Sequence, residues 1–545
     1  MIERLRRIAP ELLVAALAVA AALFVAGRAL GDGFPLDDAW IHLQYGLELR
    51  KSGTLAYNDG IASTGATSPL WAACCAIAHL FAGASGPSMT AAAWSKGFGV
   101  ALHALTAVLS CRLARACVVR RGWATPAALG AGGIVATVSV LDFAAVSGME
   151  VALTSALLVG AALASVRGRV WLAGALGGVA AIARPECVVV VPAIVAVVAV
   201  QARGRAGLMR GVKTLGAALL PIAALVARNL AVSKLPLPAT FYVKATPEAQ
   251  TLAIALRAGF VDLLGKTHPT SRVVFWALVA GAIVLGAIAF ARRVRKGGRP
   301  SRSTERAFAT GAFALAGMVY LVGVAAINVV RNPSSFYYQR YFAPPLPLLI
   351  VAAVCATIAL AAFVARAVAP SRRTLIVVLP ALLFIAAIVD DVLALPAPRV
   401  QYADDVRSIN ALQVTTGMYV RDHVSPNGVV WTVDAGAVRY WGGHRTVDLA
   451  RLNTREAFHG TKLPKEWWPE AIVTIPEVFQ AFAPDGLLDV GISAQSPVAA
   501  TEAERRQWRH EVYVCRKNAN EHPDNRVLVL LYGSELIAVG RCAPK

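Results

Sequence analysis

Runs of about twenty apolar residues recur along the chain, parted by short arginine-rich gaps, and this alternation limits the possible folds more than any other feature. In hydrocarbon every backbone N–H and C=O needs a partner within the protein, so such runs form helices that cross a core about 30 Å thick. The expected spans are 12–30, 93–113, 124–140, 148–166, 170–183, 188–200, 212–232, 273–291, 307–330, 342–365 and 375–395. That makes about eleven helices by the usual length criterion. With 57% hydrophobic and 16% charged residues in 545, the chain is too apolar for a soluble protein of two or three domains.

The formal charge of +21 does not point to nucleic acid, because no helix-turn-helix, zinc-knuckle or RNP-like pattern accompanies it. The basic residues lie instead where cytoplasmic loops concentrate Lys and Arg. The segment 70–84 decides the register. If it lies in the interface or re-enters, then RLARACVVRRG, the RGR at 167–169, QARGRAGLMRGVK, RRVRKGGRPSRSTER and RAVAPSRR all become cytoplasmic. The basic start MIERLRR then reads as the cytoplasmic end of a retained first helix. Segments 31–92, 233–272, RNPSSFYYQRYF and everything after about Pro396 fall outside. The expected domains are a transmembrane part, 1–395, whose first external loop is 31–92, and an extracytoplasmic α/β domain, 396–545. The latter is marked by the short β-rich runs GVVWTVD, EAIVTI, HEVYVC and RVLVLLYG.

Cys74, Cys75, Cys111, Cys117, Cys187 and Cys355 lie in or beside apolar segments without metal-ligand spacing, as small packing residues do. Cys515 and Cys542 stand in the outer domain, where a disulfide and two free thiols are both open.

The polar residues of interest are concentrated outside. Asp37 and Asp38, in FPLDDAWIHLQYG, follow the first apolar run directly. A carboxylate facing lipid is costly, so the pair should face an aqueous cavity or a bound cation; capping of an interfacial helix accounts for one Asp and not easily for two. His42, one turn further on, is within reach of the pair. Lys244 in FYVK and Arg340 in YYQRYF are outer cations among aromatics and prolines, open to phosphate binding or to snorkelling within a belt of Tyr242, Tyr337, Tyr338 and Tyr341. Arg184 reads either as a phosphate contact or as the ion-pair partner of Glu186. Glu150 and Gln339 complete the candidate cavity.

The loop continues through GTLAYNDGIASTGATSPLW. Together with the Asp pair, and with SGMEVALTS, ARPE, RNLAVSKLPLPATFYVK, QRYFAPPLPLL and TVDAGAVRYWGGHRTVDLARLN in that order, it resembles the GT-C membrane glycosyltransferases. Among these it is most similar to the terminal arabinofuranosyltransferase group, which uses polyprenyl-phosphate sugars. The resemblance implies a polytopic α-helical GT-C fold in a bacterial cytoplasmic membrane and an inverting transfer at the outer face. The sugar, arabinofuranose by this likeness, would pass from a polyprenyl-phosphate donor to a cell-envelope glycan, glycolipid or protein. Asp37 and Asp38 would be catalytic, with Lys244, Arg340 and Arg184 on the donor phosphate. A divalent cation (Ca²⁺, Mg²⁺ or Mn²⁺) on the Asp pair is left open, since the sequence shows no cluster with ligand spacing. Trp40 after the pair and ASTGATSPLW in the loop depart from that group's pattern and leave the sugar open. The outer domain, with Trp431, Trp441, Tyr440, His444 and Asp448, is expected to bind or guide the acceptor.

The rival expectation is a transporter or flippase of lipid-linked sugars, which would carry paired interrupted helices and polar residues at mid-membrane.

Overall fold

A computed structural model of the protein describes residues 2–118, 121–244, 252–264, 269–296, 301–328, 338–367, 373–432, 434–448, 452–454, 467, 471–474, 510–514, 526–531 and 535–541. Cys515, Cys542 and Tyr337 lie outside them, as does the side chain of Lys244.

In chain order the first elements are α1 (Ile2–Ala26), α2 (Asp37–Ser52), β1 (Ala56–Asn58), β2 (Ile61–Ala62), α3 (Pro69–Phe81), α4 (Met89–Cys117), α5 (Arg121–Thr137) and α6 (Ser139–Val146). There follow α7 (Val151–Val166), α8 (Val170–Ala183), α9 (Val191–Val200), α10 (Gly204–Ser233), α11 (Ala239–Lys244), α12 (Leu252–Phe260), α13 (Pro269–Lys296), α14 (Arg302–Asn328), α15 (Leu346–Ala367) and α16 (Arg373–Ala394). The C-terminal part holds α17 (Pro396–Ile409), α18 (Thr415–His423), β3 (Val429–Thr432), α19 (Ala437–Gly442), β4 (Arg445–Asp448), β5 (Ala471–Thr474), β6 (His510–Val514), β7 (Arg526–Leu531) and β8 (Glu535–Arg541).

Seven helical stretches among the described residues are long and apolar enough to cross a membrane: Ile8–Gly31, Met89–Cys117, Gly204–Ser233, Ser271–Arg295, Arg302–Ile327, Leu346–Ala367 and Val378–Ile409. An eighth results if α5 and α6, bent by 55°, count as one span. Just before the break the Thr137 hydroxyl donates to the Gly133 carbonyl at 3.0 Å. The stretches expected as spans between 148 and 200 are the shorter helices α7, α8 and α9, of 16, 14 and 10 residues. The 13 residues of α3 reach only about 20 Å at 1.5 Å per residue, too short to cross.

The chain forms two compact units, each assembled from separate segments. The first comprises residues 1–27, 96–225 and 247–401. Its core is made of small and branched residues from many helices, among them Val14, Cys111, Leu158, Ile194, Phe313 and Leu349. Close approach requires a glycine where α4 meets the end of α6, because a Cβ on Gly99 would stand 2.0 Å from the Ala145 carbonyl oxygen. Near that crossing a buried histidine and carboxylate meet, with His103 Nε2 3.1 Å from Asp142 Oδ1. Asp391 is buried too, 3.5 Å from the Thr137 hydroxyl. Polar groups inside membrane helices are therefore present in the described part of this unit.

The second unit comprises residues 28–95, 226–246 and 402–545. It carries a two-stranded hairpin, β1–β2, turned at Asp59 and Gly60, and a six-stranded sheet of order β4-β3-β5-β6-β7-β8. β3 pairs in parallel with β4 and β5, and the rest of the sheet is antiparallel. The TSPLW motif is a helix start: the Ser68 hydroxyl accepts the Trp71 amide at 3.3 Å and Pro69 occupies the first helical position.

Candidate active site

Pro35 and the extended Leu36 end the entry into α2, so Asp37 and Asp38 fall in its first turn, where the helix dipole favours negative charge. Leu36 caps that helix without a side-chain bond, so neither Asp is the N-cap of its own helix. Asp37 reaches instead to the start of α19. Its Oδ2 accepts the Gly436 amide and its Oδ1 the Ala437 amide, both at 2.8 Å. Hydrogen bonds to a charged group contribute roughly 1.5–3 kcal/mol each. Gly436 is required by contact: a Cβ there would lie 2.1 Å from the Asp37 carbonyl oxygen and 2.7 Å from its carboxylate carbon.

Asp37 is half-buried. Burial, then the charge of Asp434, raises its proton affinity well above the usual carboxylate range. The Ala437 and Gly436 amides pull the other way, and Asp38 adds a smaller upward push. Asp434 is fixed in turn by Gln413, whose Nε2 donates to its Oδ2 at 3.2 Å. Behind the pair Trp40 is fully buried, edge-on to Phe34 at 4.8 Å and to Trp441 at 5.6 Å between centroids. His42 is buried on the same helix.

The segment 31–92 is joined to residues 402–454 along a line of further bonds. Tyr57 donates to the Ala435 carbonyl at 2.6 Å. Asn58 and Thr446 exchange two bonds, Nδ2 to the carbonyl at 2.8 Å and amide to Oδ1 at 2.9 Å. Tyr45 donates to Asn453 Oδ1 at 3.2 Å, and Arg439 reaches Asp59 at 3.1 Å. From the segment before α11, Arg228 donates to the carbonyls of Ser63 at 2.8 Å and Leu55 at 3.2 Å, which gives RNLAVSKLPLP a place in the same assembly. Asp448 is committed to its own loop, where its Oδ2 accepts the amides of Leu452 and Asn453 and the Asn453 side chain.

The first unit holds a different cluster. Arg184, where α8 ends, is buried and donates through Nη1 to Glu150 Oε1 at 2.9 Å and to the Arg340 carbonyl at 3.3 Å. Glu186, the sequence neighbour, forms a second ion pair at 3.6 Å, and the hydrogen-bonded partner is Glu150, 34 positions away. Arg340, also buried, donates to the Tyr341 hydroxyl at 3.1 Å, and both guanidinium carbons lie 4.9 Å from the centroid of the Tyr341 ring. Tyr320 donates to the Tyr341 carbonyl at 3.2 Å. Lys244 ends α11, with Tyr242 half-buried two residues before it. Gln339 precedes Arg340 in a turn where Tyr338 and Gln339 have φ of 51° and 58°.

The sequence candidates thus divide between the units: Asp37, Asp38, His42 and Tyr242 in the second, Glu150, Arg184, Gln339 and Arg340 in the first. Asp434, Gly436 and Gln413 were missed as site residues; the Asp-Ala-Gly string was their only trace. Among the described residues no group of three His, Cys, Asp or Glu side chains is arranged to hold a metal ion, and Asp37 directs both oxygens to amides.

Residues 402–526 match a family model described as a domain of unknown function, DUF8728. No curated protein matches the chain significantly. Among solved structures the chain is similar to ArnT from Cupriavidus metallidurans in the apo state, with 14% identity over 87% of this chain and 94% of that one and a TM-score of 0.50. The same protein bound to undecaprenyl phosphate gives 13% identity, the same coverage and a TM-score of 0.49. The apo oligosaccharyltransferase of Archaeoglobus fulgidus gives 13% identity over 80% of this chain and 64% of that one, with a TM-score of 0.51. The likeness shows the fold: the chain is a multi-pass helical membrane protein of the GT-C type with a C-terminal α/β part.

Proposed function

We propose that the protein is an inverting glycosyltransferase that takes a sugar from a polyprenyl-phosphate donor at the outer face of a bacterial cytoplasmic membrane. The sugar is arabinofuranose by sequence resemblance, and the acceptor is a hydroxyl of an envelope glycan, glycolipid or protein. The N-terminus is cytoplasmic and the C-terminal domain extracytoplasmic, as the distribution of Lys and Arg supports. The observation that carries this function is Asp37: a half-buried carboxylate of raised proton affinity, held rigid by two backbone amides, in a fold shared with an oligosaccharyltransferase.

The acceptor oxygen attacks the anomeric carbon, its proton passes to Asp37, and the bond from that carbon to the phosphate oxygen breaks. A base of raised proton affinity suits this step. Asp38, next along the first turn, adds negative charge that keeps the proton on the pair. The phosphate leaves with the bonding electrons as an anion, which a cationic side chain offsets; Lys244, in the same unit as Asp37, is proposed for this. Arg184, bonded to the Arg340 carbonyl and to Glu150, fixes the Arg340 turn.

Release of polyprenyl phosphate from a panel of polyprenyl-phosphate sugars, measured on wild type, Asp37→Asn and Asp38→Asn with and without chelator, tests the proposal. Loss of turnover in folded variants is expected, and the donor consumed names the sugar.

The buried His103–Asp142 pair gives the flippase reading a specific observation, since intramembrane ionisable groups often line transport paths. Donor movement across vesicles without turnover, insensitive to both Asp substitutions, would establish that reading instead.

A further inference from the structure

A cavity of about 280 Å³ lies in the first unit beside the Arg340 turn. Its walls include Ser139, Asp262, Tyr338, Gln339, Ala397 and Gln401. Local structure explains why these residues meet. Ser139 is the first residue of α6 beyond the bend, and Ala397 and Gln401 lie one turn apart on α17. Tyr338 and Gln339 are consecutive non-glycine residues in the left-handed region, a conformation that must be held by its surroundings. Stacking of Tyr338 on Phe143, with centroids 4.1 Å apart and planes at 15°, supplies part of that hold.

The lining mixes polar side chains with the apolar Val140, Ala394, Ala397 and Pro398. It offers a hydroxyl, two primary amides and a phenol, and its one carboxylate, Asp262, has Arg257 3.7 Å away. Such walls combine hydrogen-bonding groups with apolar surface. They suit a ring of hydroxyl groups, which needs donors and acceptors around its edge and an aromatic side chain against its C–H face. The buried Gln339 Oε1 accepts no hydrogen bond among the described residues, and a ligand hydroxyl would supply the donor.

We infer that this cavity binds the sugar ring of the lipid-linked donor, with Gln339 and Gln401 as its hydrogen-bonding contacts and Tyr338 as its stacking face. The inference rests on the transferase reading above and adds a sugar subsite to it.

The test is equilibrium binding by the full-length protein of undecaprenyl phosphate alone and of undecaprenyl-phosphate-linked arabinofuranose and mannose. Gln401→Leu removes an amide at the rim, and Ala397→Leu fills space from the same helix, so the two act by different means. Each is expected to weaken binding of a sugar-bearing lipid about tenfold, the worth of one well-placed hydrogen bond, while binding of the bare lipid phosphate stays unchanged. Unchanged preference in both variants, or equal weakening towards bare and sugar-bearing lipid, overturns the inference. Retained affinity for the bare lipid phosphate certifies the fold. A wild type that prefers the sugar-bearing lipid, loses that preference in the variants and yet turns over no donor would overturn the transferase reading and leave the cavity a sugar site.

Discussion

The Gly436 amide donates to Asp37 Oδ2 at 2.8 Å, while the Gly436 Cα stands so close that a Cβ would lie 2.1 Å from the Asp37 carbonyl oxygen. Two residues 399 positions apart are thus joined through side chain and backbone at once. Gly436→Ala should push α19 off the carboxylate and release both amides. Overpacking of this kind costs about 1–3 kcal/mol. The expected result is a drop in turnover far larger than the fall in melting temperature, measured side by side on purified protein.

Asp37→Asn keeps the shape but offers one of the two amides an NH₂ group in place of an oxygen, and it removes the proton acceptor. Turnover should fall by about 10²–10⁴, the usual range for loss of a general base, with little change in affinity for undecaprenyl phosphate. A fall in donor affinity without a fall in turnover at saturation would count against Asp37 as the base.

Burial first, and the charge of Asp434 second, raise the proton affinity of Asp37. Asp434→Asn removes the second cause, so the acidic limb of kcat/KM against pH should move to lower pH. The sign for stability follows. A carboxylate whose folded pKa is raised adds stability below its unfolded pKa of about 3.9, and that stability is lost as pH rises through the folded value. The Asp434→Asn protein should therefore lose less stability than wild type on going from about pH 4 to neutral. Thermal unfolding at several pH values reads this directly.

Glu150 and Arg184 form a buried ion pair at 2.9 Å, each side chain about 5% exposed. Removing Glu150 leaves the buried Arg184 with only Glu186, at 3.6 Å and partly exposed, so the cost is at most about 3–5 kcal/mol. Glu150→Gln should destabilise by up to that amount. A Glu150→Leu, Arg184→Met double variant should recover much of the loss while still failing to turn over donor, because the Arg340 carbonyl loses its partner. Denaturation of the three proteins in one detergent separates these outcomes.

Truncation after Gln401 removes the amides held by Asp37, the Ala435 carbonyl held by Tyr57 and the exchange between Asn58 and Thr446. An outer domain that only guided the acceptor would leave donor hydrolysis intact. These bonds predict instead that hydrolysis is lost together with transfer, and release of polyprenyl phosphate by the truncated protein in the absence of acceptor checks it.

The long membrane helices were readable because hydrocarbon thickness fixes a length and hydropathy reports it; α4, α13, α14 and α15 fall where the apolar runs do. Around Arg184 and Pro185 the apolar runs are short in the sequence as well, and the chain turns there. In the sheet, GVVWTVD, EAIVTI, HEVYVC and RVLVLLYG became β3, β5, β6 and β7. β4 went unread because its four residues, RTVD, look like a turn until β3 pairs with them in parallel. The Asp pair stood out as charge at the end of an apolar run. Its partners are backbone amides, which leave no mark in a sequence beyond the glycine that lets them approach. Arg184 suggested the neighbour Glu186, and tertiary packing supplied Glu150.

The bonds between Asp37 and residues 436 and 437 also set an order of events during synthesis. The Asp pair emerges with the first helix, and at about 5–20 residues per second the partner amides follow roughly 20–80 seconds later. Throughout that interval Tyr45, Tyr57 and Asn58 stand without their final partners. A chain that stalls before residue 436 therefore carries the aspartates without the amides that hold Asp37.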